Sequence, residues 1–273
     1  MNRAAWLLLG ATLRFQWQGW KTHRLGMVQS LIWVAASALM FFGIARLFAL
    51  LGDERPLDIG ASYLAYVLIG MAVNGVVMNL MFGLGKQMGR IEYGGQLAWM
   101  WSGSTHLPLP LVLLIGAVPG LGTPLLEMGL FALVAWALGI ALPEANWLAG
   151  AVVLLVSMLA FVGFGLITAA SQLWLKKGNP LGFLFGGVAT ILAGLYFPVS
   201  VLPEMLHPIA LAIPLTYTFD GLRDALIHGA SWVDVWPDLA MLTLFGAGFW
   251  VAGLWGLRAA KRRVLEEGSL GLD

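Results

Sequence analysis

Of the 273 residues, 60% are apolar and 11% charged, against about 45–50% and about 25% in soluble globular chains. This excludes a disordered chain, a collagen and a soluble nucleic-acid binder, and the net charge of +1 offers polyanions no field. With no cysteine, a disulfide framework, cysteine metal sites and a cysteine nucleophile are excluded too.

Residues 1–26 read as an interfacial helix. Trp6, Leu9, Leu13, Trp17 and Trp20 share one side at helical spacing, while Arg3, Arg14 and Lys21 gather on another. Rings at headgroup depth and snorkelling basic residues fit such a helix, whether as a topology anchor or as a docking element. Arg14-Phe15-Gln16-Trp17 stands where a signal peptide would have a small-residue cleavage site, so no cleavable signal is expected.

Six apolar stretches follow: about Val28 to Leu50, Tyr63 to Leu84, Leu109 to Leu138, Gly150 to Leu175, Leu181 to Val201 and Leu239 to Leu257. Each has the length that a ~30 Å hydrocarbon core demands, and spans that satisfy their own backbone in lipid are helices. The expected fold is therefore all-α, a single polytopic membrane domain with six transmembrane helices and no internal repeat. Pro119, Gly120, Gly122 and Pro124 predict a kink or break in the third stretch.

Basic residues cluster in alternate segments: Arg3, Arg14, Lys21 and Arg24; Lys86 and Arg90; Lys176 and Lys177; Arg258, Lys261, Arg262 and Arg263. Asp53, Glu54, Asp58, Glu144, Glu204, Asp220, Asp224, Asp234 and Asp238 fall in the others, with Arg46, Arg55 and Arg223 at or beyond that face. The positive-inside rule then puts both termini in the cytoplasm.

Two non-spanning segments carry more than a connection requires. The inner loop 85–108 combines Arg90 and Glu92 with Gly94-Gly95 and the apolar cluster Leu97, Trp99, Met100 and Trp101. A short amphipathic helix there would present Trp and Met to a groove on a partner, or lie on the membrane. In the outer segment 202–238, Pro203, Pro208 and Pro214 divide the chain into pieces too short to span. Phe219, Leu222 and Leu226 make one apolar face, Asp220–Arg223 and Asp224–His228 pair along the polar one, and Gly229 caps the end. Two short helices dipping into or lying on the outer leaflet are expected.

Glu127 is an intramembrane carboxylate, a candidate for cation binding or proton relay, or a protonated or paired group bracing the kink, with Arg46 as one partner. Asn74 and Asn79 line a path or bond between helices, whereas Gly70, Ala72 and Gly75 suit close packing. The chain contains no GxxxxGK[ST] loop, HExxH or GxSxG, and its four histidines lie outside the spans, so neither ATP hydrolysis by this chain nor a metal site is expected.

Pro214-Leu215-Thr216-Tyr217, Asp220, Leu222-Arg223 and Gly229, led in by Phe197-Pro198, Leu202-Pro203 and Ile213-Pro214, resemble the C-terminal signature of ABC transporter type-2 permeases. The run Glu92-Tyr93-Gly94-Gly95-Gln96-Leu97 resembles the family's cytoplasmic coupling helix, although the family usually has Thr and Glu around the Leu where this chain has Gln96 and Ala98. The resemblance covers the whole chain and implies an inner-membrane exporter of two permeases, identical or paralogous, and two separate ATPase subunits. ATP and magnesium would be held by the ATPases, with no cofactor on this chain. It implies a coupling interface at Arg90, Glu92, Gly95, Gln96, Leu97 and Trp99. By the same resemblance Asn74, Met78 and Thr190 line the path, and Leu195, Tyr196 and Phe197 form an apolar gate. Membrane lipids surround it, and no nucleic acid is involved. The rivals are an ion-coupled secondary transporter using Glu127 and a membrane-embedded enzyme. The cargo class these apolar spans favour is amphipathic or lipid-like, such as a drug or lipid, with a polysaccharide or lipid-linked glycan left open.

Overall fold

A computed structural model describes Gly10 and residues 24–50, 63–93, 108–175 and 184–267. The expected interfacial helix and the coupling residues Gly95, Gln96, Leu97 and Trp99 lie outside the described residues.

The described residues are helical, without strands. Helix α1 spans Arg24–Leu50 and α2 spans Tyr63–Tyr93. The third stretch is broken as its prolines predict: α3 covers Leu109–Ala117, a 3-10 turn Val118–Leu121, and α4 Gly122–Ala137. Pro119 sits in that turn, where a missing N–H costs least. Helix α5 spans Trp147–Leu175. A π-helical turn Leu184–Val188 leads into the short α6, Ala189–Leu192. Then come two 3-10 turns, α7 (His207–Leu211), α8 (Pro214–Leu226) and the long α9 (Trp232–Glu267).

Among the described residues five helical stretches are long and apolar enough to cross a membrane: α1, α2, α3–α4, α5 and α9. The chain is thus a polytopic, membrane-embedded all-α protein. The expected fifth stretch is not among the five. Where it is described, it leaves helical geometry after Leu192, and Gly194 turns at φ 83°, a left-handed angle that favours glycine. A second difference concerns α2, which continues as helix through Gly85 to Tyr93, where a loop is expected. Met88 and Ile91 hold it there, buried with Leu84, Leu113, Leu166, Leu173 and Leu257 in a small apolar cluster.

Lipid tails are as apolar as leucine, so this bundle is held by close packing and interhelical hydrogen bonds. Glycines let the backbones of α5 and α9 meet. A Cβ on Gly253 would lie 2.6 Å from Leu166 Cβ, and one on Gly163 2.9 Å from the Trp250 nitrogen. Thr168 Oγ1 donates to the Met81 carbonyl at 2.8 Å, joining α5 to α2. Trp250 Nε1 donates to the Leu159 carbonyl at 2.9 Å, joining α9 to α5. Aromatic rings run across the bundle from Phe82 through Phe164 and Phe249 to Phe245 and Tyr217, with neighbouring centroids 5.2–6.3 Å apart.

Candidate functional site

The signature region folds into the helical pair α7–α8 at one end of the bundle, and Thr216, Tyr217 and Arg223 of the signature each donate to backbone carbonyls. A helix as short as α7 leaves its last carbonyls without partners, a heavy cost where water is scarce. Thr216 Oγ1 donates to the Ala210 carbonyl at 2.7 Å, and Tyr217 Oη to that of Leu211 at 2.8 Å. Pro214 opens α8, where its fixed φ suits the first turn. Gly229 takes φ 63° after α8, and a Cβ there would collide with the Glu144 carbonyl. Asn146, which the sequence did not single out, ties the α4–α5 turn to the same place. Its backbone donates to the Ala225 carbonyl at 2.8 Å and its amide to that of Ala230 at 3.1 Å.

Arg223 is the centre of this end. Its residue is 2% exposed, so the pair with Asp220 that helical spacing predicts forms with the cation turned inward rather than out on a polar face. The guanidinium turns inward because its fork finds acceptors there. Nε donates to the Tyr66 carbonyl at 3.3 Å, and Nη1 to Tyr66 Oη and the Gly194 carbonyl, both at 2.8 Å. Nη2 donates to the Leu195 carbonyl at 2.9 Å. Tyr66 Oη in turn donates to the Gly194 carbonyl at 3.0 Å. The cation also lies over the Tyr66 ring, 3.5 Å from its centroid. Gly70 makes room, since a Cβ there would stand 2.7 Å from Nη2 and 2.9 Å from Leu195 Cδ1. One side chain of α8 thereby clamps the start of α2 to the broken segment after α6.

Asp220 Oδ1 stands 3.9 Å from Nη1, with its side chain 42% exposed. Burial pushes its carboxyl up to about 6, against the pull of Arg223. Burial likewise draws the Arg223 guanidinium down, while Tyr66 and Asp220 oppose it. The Asp224–His228 contact forms as spaced, at 3.1 Å.

The remaining candidates disperse. Leu195 is buried, and Tyr196 stacks on Phe41 of α1 with centroids 5.5 Å apart, while Phe197 is half-buried. Thr190 is buried, Met78 is half-buried, and the buried Oδ1 of Asn74 accepts no hydrogen bond. Arg90 is exposed and Glu92 half-buried at the far end of α2. Glu127 does not meet Arg46. It accepts a 2.8 Å hydrogen bond from Ser30 Oγ, sixteen residues earlier on α1, and its Oε2 would lie 3.5 Å from a Cβ on Gly75. Sixteen residues of helix are roughly 24 Å, too far for a pair.

No family model matches the chain. The linearmycin resistance permease protein LnrN of Bacillus subtilis (strain 168) is 32% identical over 130 residues. The alignment covers 44% of this chain and 34% of LnrN, so the chain spans about a third of the length of the curated relative it matches. The likeness supports the ABC transporter permease family. The relative's name is that of a permease, the class that the signature residues also resemble.

Proposed function

We propose that the chain is the permease subunit of an ATP-driven exporter, working with two copies of a separate ATPase and a second permease, identical or paralogous. In this reading it sits in the cytoplasmic membrane with both termini inside and the α7–α8 end outside. The observation that carries it is the Arg223 clamp, which joins the signature helix α8 to α2 and to the Gly194–Phe197 segment. A permease that alternates between inward-facing and outward-facing states needs elements at the path's outer end to move as one body, and the clamp supplies that coupling. Leu195, Tyr196 and Phe197 would gate the path, and Asn74, Met78 and Thr190 would line it. The loop from Arg90 through Glu92, Gly95, Gln96 and Leu97 to Trp99 would seat on the ATPase. The relative's name concerns resistance to linearmycin. With the apolar spans, this favours an amphipathic cargo moved outward.

The test is to express the tagged chain in its native host and identify by mass spectrometry what copurifies. A roughly stoichiometric ATPase with a phosphate loop is expected, lost when Leu97 and Trp99 are both changed to Asp. Mild extraction that yields the permease with no ATPase would overturn the proposal.

A further inference from the structure

Two cavities at the α7–α8 end adjoin, sharing part of their lining. One, about 490 Å³, is walled by Leu68 and Ala72 of α2, Phe131 and Ala135 of α4, Leu154 of α5 and Leu222 of α8. Its lining residues are all apolar, with Trp136 and Trp147 at its margin 77% and 65% exposed. The second, about 570 Å³, shares Ala65, Ile140 and Leu142 with the first and brings in Arg46. Both volumes lie within the about 300–1,000 Å³ typical of ligand sites.

The chemistry of the pair is that of an amphiphile. An apolar cavity opening on a bilayer fills with hydrocarbon, because water there finds no polar partners. Trp136 ends α4 and Trp147 begins α5, at the depth where indole rings mark the headgroup boundary. Arg46, its guanidinium carbon 5.4 Å from the Phe42 ring centroid, is exposed and makes no ion pair among the described residues. Glu144, the nearest acidic residue along the α4–α5 turn, is exposed and forms no ion pair with Arg46, and Asp53, Glu54 and Asp58 lie outside the described residues. We infer that this end of the bundle holds one anionic phospholipid of the adjoining leaflet, its phosphate on Arg46 and an acyl chain in the apolar cavity. Charge complementarity selects the headgroup, and the dry lining selects the tail. The site rests on the membrane-embedded fold and needs no assumption about nucleotide-driven transport.

The purified full-length protein, reconstituted in phosphatidylcholine vesicles, is probed with trace acyl-spin-labelled phosphatidylglycerol or phosphatidylcholine. Electron spin resonance reads the motionally restricted fraction of each. Phosphatidylglycerol should be preferred by about fivefold at one site, the worth of one cation beside an anionic headgroup. Arg46→Gln should erase the preference and Arg46→Lys keep it. Ala151→Trp, at an exposed lining position, should release the bound chain without unfolding the bundle. Equal restriction of the two lipids, or a preference indifferent to Arg46→Gln or to Ala151→Trp, overturns the inference. Because the chain has no cysteine, Ala151→Cys gives a single thiol. Its oxidation to a cross-linked dimer in the membrane would show a second copy on this face instead, and would equally overturn it.

Discussion

Arg223 shows what a buried cation requires in a membrane protein. Its charge is balanced less by Asp220, 3.9 Å away, than by carbonyl dipoles and the Tyr66 ring. Arg223→Ala strands those acceptors and should cost about 3–5 kcal/mol, the range for removing one partner of a buried charged network. A lowered unfolding temperature in detergent checks it. Arg223→Lys should not restore stability, because an ammonium cannot reach three carbonyls and a hydroxyl with a planar fork. Asp220 adds a pH dependence. Its carboxyl is raised to about 6 in the fold from about 3.9 in an unfolded chain. Its contribution is therefore full below the unfolded value and is lost as pH rises through 6. Asp220→Asn should flatten that fall, read as unfolding temperature against pH. The signature made Arg223 legible in the sequence, but Tyr66, Gly70 and Gly194 were not legible with it. Its acceptors are mostly backbone carbonyls, up to 157 positions away, and a carbonyl leaves no trace in a one-letter code.

Elements were legible where their cause was local. Pro119 announces the break between α3 and α4, and the paired hydroxyls of Thr216 and Tyr217 give the signature its reason. The departure from helix at Gly194 was not legible, because an apolar run reads the same whether continuous or broken. Nor was the extension of α2, since Met88 and Ile91 are held by residues distant in sequence. Packing between α5 and α9 yields a paired prediction. Gly253→Leu would force a Cβ to within 2.6 Å of Leu166 Cβ, whereas a Cβ at Gly248 meets nothing within 4 Å. The first should destabilise by about 1–3 kcal/mol, as overpacking does. The second should leave unfolding temperature and expression unchanged.

At the scale of the molecule, two arginines near the α7–α8 end differ among the described residues: Arg223 binds the protein to itself, and Arg46 is exposed without an ion pair there. Glu127, paired with Ser30 and one turn beyond Pro124, fits a brace across the break in the third stretch. Glu127→Gln keeps an acceptor for Ser30, so nucleotide-driven efflux should stay within about twofold of the parent, since neutral hydrogen bonds differ by fractions of a kcal/mol. An ion-coupled carrier predicts abolition instead, and transport assays in vesicles with and without nucleotide tell the two apart. The clamp has an evolutionary consequence as well. Arg223 grips the Gly194–Leu195 segment by its main chain, and every amino acid presents the same carbonyl. The side chains at 195–197 are thus released from the duty of recognition. In the proposed exporter, exchanges at 195–197 would reshape the gate while the main-chain acceptors of the latch stay in place.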